Sequence, residues 1–114
     1  MTIARLVVLA VLVTASAAFA QSPGEYAHEF VFKPTNNPTK VAVAGDFNNW
    51  SQDANRMTRA DDGSWRAKVN LSEGVHQYKL VVDGQWTTDP AGDKSLESDD
   101  NYGGKNSGVM AGPA

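Results

Sequence analysis

The sequence contains no cysteine, and its one long apolar run lies at its start. Without cysteine there is no disulfide framework, no thiolate metal site, no nucleophilic thiol and no cysteine-linked lipid anchor. Basic residues are also scarce, because Lys and Arg number 10 against 13 Asp and Glu, which gives a net charge of −3. That balance argues against nucleic acid or an anionic membrane surface as a partner.

The apolar run belongs to a predicted export signal. Residues 1–20 combine one charged residue, Arg5, with an apolar stretch at residues 6–13 and small residues that end at Ala20. This layout is typical of a secretory signal peptide cut after Ala20, and the run is shorter than the roughly 20 apolar residues of a membrane-spanning helix. We therefore expect a protein exported to a periplasm or to the outside of the cell, with no membrane attachment after cleavage.

The rest of the chain predicts an all-β fold. Apolar and polar residues alternate with a period of two between turn signals, and no stretch shows helical periodicity over ten or more residues. Several short strands in a chain of this size favour a single small immunoglobulin-like (early-set) β-sandwich. The expected boundaries are a lead-in at residues 21–29, the sandwich at residues 30–110 and a frayed C-terminus at residues 111–114.

An Asp-Gly pair at residues 83 and 84 follows the clearest strand and predicts a two-residue type I′ hairpin. In that register Val81 lies opposite Trp86, and Trp86 shares its face with Lys79 and Gln77. The more apolar face should be buried, so Trp86 is predicted to be an exposed indole beside an ammonium group and an amide. The buried face would carry His76, Tyr78, Leu80 and Val82.

This combination suits a sugar, because a pyranose stacks its C–H face on an indole while its hydroxyl rim hydrogen-bonds to polar side chains. Trp50 is also flanked by polar residues, within the sequence NNWS, whereas Trp65 begins an alternating strand and is assigned to the core. Core packing is the competing interpretation for Trp50 and Trp86, since most tryptophans are largely buried.

Three segments together resemble a known family, the family-48 carbohydrate-binding modules, and within it the glycogen-binding domain of the AMP-activated protein kinase β subunit. The likeness extends over about Phe30 to Val109. It implies an immunoglobulin-like sandwich that binds α-1,4-linked glucans such as glycogen, starch and maltooligosaccharides, with the sugar stacked on two tryptophans. The segments that carry it are GDFNNW at residues 45–50, GVHQYK at 74–79 and VDGQWTTDP at 82–90.

The resemblance also implies individual site residues. With Asn106 at the family's hydrogen-bonding asparagine, Tyr102 stands where the family has a leucine, and Gly104 where it has a threonine. Gly104 removes one hydroxyl contact, and Tyr102 offers a ring in place of an aliphatic wedge. The candidate carbohydrate-binding residues are Trp50, Lys79, Trp86, Tyr102 and Asn106.

We expect no catalysis, no cofactor and no metal site. Glycosidases hold two carboxylates a fixed distance apart across a cleft, whereas the acidic residues here lie mostly in predicted turns. His28 and His76 lie in alternating strands without a second ligand at a diagnostic spacing. The segment from Asp93 to Asp100 lacks EF-hand spacing, so a solvated loop is favoured over a calcium site.

Two function classes remain open at this point. One is a non-catalytic, exported α-glucan-binding module, whose partners would be the glucan itself and a carbohydrate-active enzyme or another exported protein. The other is an exported immunoglobulin-like domain that mediates protein–protein contacts without binding sugar.

Overall fold

The computed structural model describes residues 24–113, and the predicted signal peptide at residues 1–20 lies outside them. No helix within this part of the chain is long and apolar enough to cross a membrane. Apart from one turn of 3-10 helix at Lys94–Leu96, its regular structure consists of β-strands. In chain order these are β1 (Glu25–Phe32), β2 (Val41–Gly45), β3 (Thr58–Arg59), β4 (Trp65–Ser72), β5 (Gly74–Val82), β6 (Gln85–Thr87), β7 (Ser98–Asp99) and β8 (Lys105–Ala111).

The strands form two antiparallel sheets. One sheet has the order β1-β4-β3, and the other has the order β2-β5-β8-β7 with β6 also paired to β5. Because β2 occupies one edge of β5 from Tyr78 to Val82, β8 and β6 share the other edge, with β8 beside the first half of β5 and β6 beside the second. The start of β8 therefore lies next to β6 along the edge of β5.

The core lies between the two sheets. Alternate residues of each strand enter it, since successive side chains of a strand point to opposite faces. Fully buried members include Leu71 from β4 and Leu80 from β5, each 1% exposed, and Phe30 stacks edge-on against Tyr78 with ring centroids 4.8 Å apart. Trp65 is buried in the same cluster, as predicted. This is an all-β, two-sheet domain, and it is consistent with the predicted immunoglobulin-like sandwich.

The predicted hairpin between β5 and β6 is confirmed. Asp83 and Gly84 have φ angles of 49° and 84°, the pair of positive values that a type I′ turn requires, and Val81 lies opposite Trp86. The Asp83 carboxylate also accepts hydrogen bonds from the backbone N–H groups of Thr39 and Lys40, both at 2.9 Å. The turn is therefore attached to the segment that leads into β2.

Three features of the described fold differ from the expected pattern. The first strand already begins at Glu25 and the last ends at Ala111, whereas the sandwich was placed at residues 30–110. The two-residue strand β3 was not predicted, because so short a segment has no measurable periodicity. The acidic segment is not an irregular loop, since it contains the 3-10 helix and β7.

Candidate functional site

The outer face of the larger sheet carries a groove of about 620 Å³. It contains all five predicted site residues and one acidic residue that was not predicted. They come from separate segments: the turn after β2, the strands β5 and β6, the loop after β7 and the start of β8. The lining residues are Trp50, Lys79, Trp86, Asp100, Tyr102 and Asn106.

Trp50 lies in a turn that is stabilised by the side chain of Asn48, two residues earlier in the chain. The Asn48 side-chain oxygen accepts from the N–H groups of Gly45 at 3.0 Å and Ser51 at 3.2 Å, and the Trp50 N–H donates to the Gly45 carbonyl at 2.9 Å. Trp50 has a left-handed φ of 58°, which costs roughly 1–2 kcal/mol for a residue with a side chain. The turn therefore imposes this conformation and leaves Trp50 36% exposed.

The same turn is fastened to the middle of β5. A Cβ atom at Gly45 would lie 2.6 Å from the Gln77 carbonyl oxygen, so only glycine permits this approach. The Asp46 carboxylate accepts from the Gln77 N–H at 2.9 Å, and the Asp46 N–H donates to the Gln77 carbonyl at 3.0 Å. These contacts set the position of Trp50 relative to Lys79, two residues further along β5.

Trp86 lies on the face that the hairpin register predicted. It is 43% exposed, whereas Tyr78 and Leu80 on the opposite face of β5 are 4% and 1% exposed. The competing interpretation, in which Trp86 is a core residue, is therefore wrong. A large apolar ring that remains exposed beside a groove is a common mark of a binding surface.

Lys79 lines the groove, but its ammonium group is not free. Its Nζ lies 2.7 Å from Oδ2 of Asp100, and the two side chains are only 14% and 10% exposed. The hydrogen bond from Lys79, with those from two backbone N–H groups, lowers the pKa of Asp100 to about 2. The expectation that Asp100 belongs to a solvated loop is wrong, because the loop folds back onto β5 and pairs the acid with the lysine.

The segment from Asp100 to Gly104 is wrapped around this carboxylate. Oδ1 of Asp100 accepts from the N–H groups of Tyr102 at 2.8 Å and Gly104 at 2.9 Å, while Asn101 and Gly103 take left-handed φ angles of 66° and 90°. Tyr102 is left 94% exposed at the rim of the groove. The Asp, Asn and Gly residues at positions 99–104 are a local turn signal, but this signal does not distinguish Asp100 from Asp99 or place either of them beside Lys79.

Gly104 has a structural reason to lack a side chain. A Cβ atom there would lie 2.9 Å from Oδ2 of Asp100, closer than side-chain atoms normally approach. The carboxylate thus occupies the space next to the position where the family resemblance expects a threonine. A side chain at position 104 and the Asp100 carboxylate in its present position therefore exclude each other.

Asn106 completes the groove from the start of β8. It pairs with Ser98 of β7, and the neighbouring pair Ser107 and Tyr78 joins β8 to β5. The Thr88 hydroxyl donates to the carbonyl of Lys105 at 2.7 Å, which ties the end of β6 to the same point. The predicted site residues on β5, β6 and β8 are therefore held by one continuous set of strand contacts.

Neither histidine lines this groove. His76 contacts the Asp46 carboxylate through Nδ1 and the Ser72 carbonyl through Nε2, both at 2.8 Å. Desolvation lowers the pKa of His76, but these two acceptors raise it, and the net shift is upward. Burial lowers the pKa of His28. Within residues 24–113 no group of three or more His, Asp or Glu side chains is arranged to hold a metal ion.

These features define a small two-sheet binding module that presents exposed aromatic rings around an ion pair. Residues 28–108 match the family described as "Glycogen recognition site of AMP-activated protein kinase", and the chain belongs to this family of carbohydrate-binding modules. The resemblance inferred from the three sequence segments is thereby confirmed. The family is one of non-catalytic binding modules.

Similar proteins include subunits of that kinase. The chain is 46% identical over 61 residues to the 5'-AMP-activated protein kinase subunit beta-1 of Sus scrofa, covering 54% of this chain and 48% of that protein. It has the same identity over the same length to the Homo sapiens beta-1 subunit, of which it covers 22%. It is 38% identical over 69 residues to the Mus musculus beta-2 subunit, covering 60% of this chain and 25% of that protein. The alignments thus span less than half the length of these relatives.

Proposed function

We propose that this protein is an exported, non-catalytic module that binds α-1,4-linked glucans through the groove on its larger sheet. The observation that carries the proposal is the placing of three exposed aromatic rings, Trp50, Trp86 and Tyr102, around one polar pair. An indole offers a flat apolar surface to the C–H face of a pyranose, and the neighbouring amide and charged groups meet its hydroxyls.

The open shape of the groove suits a polymer rather than a single small ligand. Trp50 is 36% and Trp86 43% exposed, so a sugar on them would remain partly in water. Stacking with a few hydrogen bonds on such a surface corresponds to a Kd of roughly micromolar to millimolar. Such a module would concentrate an attached or associated protein on glycogen, starch or maltooligosaccharide chains, and a carbohydrate-active enzyme is the partner class that fits this use.

Binding is tested by titrating the protein with maltoheptaose while following tryptophan fluorescence and heat. The wild type should respond at micromolar to millimolar sugar, and Trp86→Ala should weaken binding at least about tenfold. Met110→Ala is the matched control, because Met110 is also an exposed apolar residue of the same sheet, 62% exposed, but lies outside the groove. Cellulose and chitin fragments test linkage selectivity. Absence of any response to maltoheptaose at millimolar concentration would contradict the proposal.

Export is a separate part of the proposal and rests on the predicted signal at residues 1–20. Expression of the full chain in a bacterial host, followed by mass spectrometry of the periplasmic fraction, should recover a protein that begins at Gln21. Recovery of the uncut chain from the cytoplasm would contradict the proposed export. It would leave the proposed sugar binding untouched, because binding is tested separately.

A second candidate function is favoured by a different feature of the same sheet. Val75 and Met110 are paired across β5 and β8, and these residues are 43% and 62% exposed. An exposed apolar pair at the opposite end of β5 from the groove suits contact with another exported protein. If the wild type binds no glucan and Met110→Asp abolishes association with a co-purifying protein, this alternative replaces the first.

A further inference from the structure

The ion pair between Lys79 and Asp100 lies inside the proposed sugar groove. Stacking on the tryptophans needs no charge, and a lysine alone would supply donors to sugar oxygens. The groove nevertheless contains a carboxylate, with Oδ2 of Asp100 only 2.7 Å from Nζ of Lys79. Stacking of a sugar on the tryptophans therefore does not explain why the groove contains a carboxylate.

Asp100 is held firmly in this position. Its Oδ1 accepts from the N–H groups of Tyr102 and Gly104 at 2.8 and 2.9 Å, and its Oδ2 contacts Lys79. The absence of a side chain at Gly104 leaves the space beside Oδ2 open. A carboxylate with three partners does not swing away when a ligand arrives, so the charge of Lys79 stays compensated.

Lys79 and Asp100 together leave the groove without net charge. Of the residues that line it, Lys79 and Asp100 are the charged ones, and the others are aromatic rings and an amide. An uncompensated ammonium group, 86% buried beside a sugar site, would attract phosphate or carboxylate groups strongly, because charge-assisted hydrogen bonds are about twice as strong as neutral ones. With Asp100 present, an anionic substituent near Lys79 meets a negative charge at the same place.

We propose that Asp100 is a specificity-determining residue that makes the groove select neutral glucans over phosphorylated or uronic acid-containing ones. This inference rests on the proposed sugar-binding function and deepens it. Asp100 acts on Lys79 by cancelling its charge, and it adds an acceptor beside the lysine's donors. The ligand class is thus a chain of uncharged glucose units.

The test compares two ligands on three variants. The ligands are maltoheptaose and maltoheptaose that carries one phosphate ester, and the proteins are the wild type, Asp100→Asn and Asp99→Asn. Asparagine keeps the Oδ1 acceptor that organises the loop but removes the charge. Asp99→Asn makes the same change of net charge at the adjacent exposed residue, whose Oδ1 accepts from the nearby Asn101 N–H in the same kind of turn.

The wild type should bind the neutral sugar more tightly than the phosphorylated one. In Asp100→Asn the ratio of the two affinities should move toward the phosphorylated sugar by about fivefold or more, and this shift should shrink between about 20 and about 300 mM NaCl. Asp99→Asn should leave the ratio unchanged within a factor of two. Adding Lys79→Gln to Asp100→Asn should remove the gain, because the free cation is then gone.

Inorganic phosphate alone serves as a second probe that needs no sugar binding. Chemical shifts of the Trp50 and Trp86 indole N–H groups should respond to phosphate in Asp100→Asn and not in the wild type. If maltoheptaose does not bind, the proposed function fails and glucan selectivity fails with it, and the phosphate response then reports only whether Asp100 cancels the charge of Lys79. If maltoheptaose binds but Asp100→Asn changes neither the affinity ratio nor the phosphate response, the inference is overturned and the proposed function stands.

Discussion

Two neighbouring residues of β5, Tyr78 and Lys79, point to opposite faces of the same sheet, and each meets a carboxylate. The Tyr78 hydroxyl donates to Asp89 at 2.6 Å, and the Lys79 ammonium lies 2.7 Å from Asp100. The first pair is buried, with Tyr78 4% and Asp89 7% exposed. The second borders an open groove.

The difference lies in what replaces each contact when it is lost. Burial raises the pKa of Tyr78, and its hydrogen bond to Asp89 raises it further, so the phenol stays a donor. Both groups are buried, and a buried polar group that loses its partner costs free energy directly. In the groove, water or a sugar hydroxyl can replace a partner. The inner pair should therefore govern stability and the outer pair recognition.

The largest effect that would separate the two faces is expected from Trp50→Ala. Removal of a stacking ring from the centre of a site typically costs about 2 kcal/mol or more, which weakens maltoheptaose binding roughly 30-fold. The free energy of unfolding should change by less than about 1 kcal/mol, because the ring is partly exposed and alanine keeps the backbone hydrogen bond. Calorimetric titration and urea unfolding measure the two quantities. A much larger fall in the free energy of unfolding of Trp50→Ala would show that this groove residue also governs stability.

Tyr78→Phe should have the opposite signature. It leaves a buried carboxylate oxygen of Asp89 without its donor, and we expect the free energy of unfolding to fall by about 1–3 kcal/mol. Sugar affinity should change by less than about twofold, since the hydroxyl lies on the other side of the sheet. Tyr26→Phe makes the same chemical change in β1 and is the control. An affinity loss as large as that of Trp50→Ala would show that the faces are not independent.

A smaller effect is expected from Gly104→Thr. The new Cβ would lie 2.9 Å from Oδ2 of Asp100, so the carboxylate has to move away from Lys79, and sugar affinity should fall about fivefold. The double variant Asp100→Ser with Gly104→Thr should bind maltoheptaose better than Gly104→Thr alone, because the shorter side chain makes room. Equal affinities for the single and double variants would show that the carboxylate is not what excludes a side chain at position 104.

The smallest effect concerns His76, which lies outside both pairs. Its Nδ1 faces a carboxylate and its Nε2 a carbonyl, so both nitrogens donate only in the protonated ring. Because the folded pKa is raised above 6.5, His76 adds stability that is fully present below pH about 6.5 and is lost as pH rises through the folded value. The melting temperature of the wild type should fall more than that of His76→Gln between pH 6 and 8. If the melting temperatures of the wild type and His76→Gln fall equally between pH 6 and 8, protonated His76 does not contribute this stability.

The sequence was sufficient to predict the hairpin side of the site. The Asp83-Gly84 turn fixes the register by local backbone chemistry alone, and the register then determines that Trp86 and Lys79 share a face. The period-two pattern assigned Trp65 to the core for the same reason, since alternation reports which face is apolar.

The loop side of the site was not predictable in the same way. Lys79 and Asp100 are 21 positions apart, and nothing local to either residue signals that the loop after β7 folds back onto β5. The same holds for the left-handed conformation of Trp50, which is imposed by the hydrogen-bonded turn around the Asn48 side chain rather than preferred by tryptophan. Long-range contacts and imposed strain need the assembled fold.

The backbone of Trp50 sets a limit on how this module can be improved. Glycine would adopt the left-handed angle at that position without penalty, so a library of variants at position 50 screened only for thermal resistance should enrich Trp50→Gly. The variants selected in such a screen would be more stable but would have lost one of the three exposed rings of the groove. Selection for a more stable variant of this domain therefore has to be combined with selection for ligand binding.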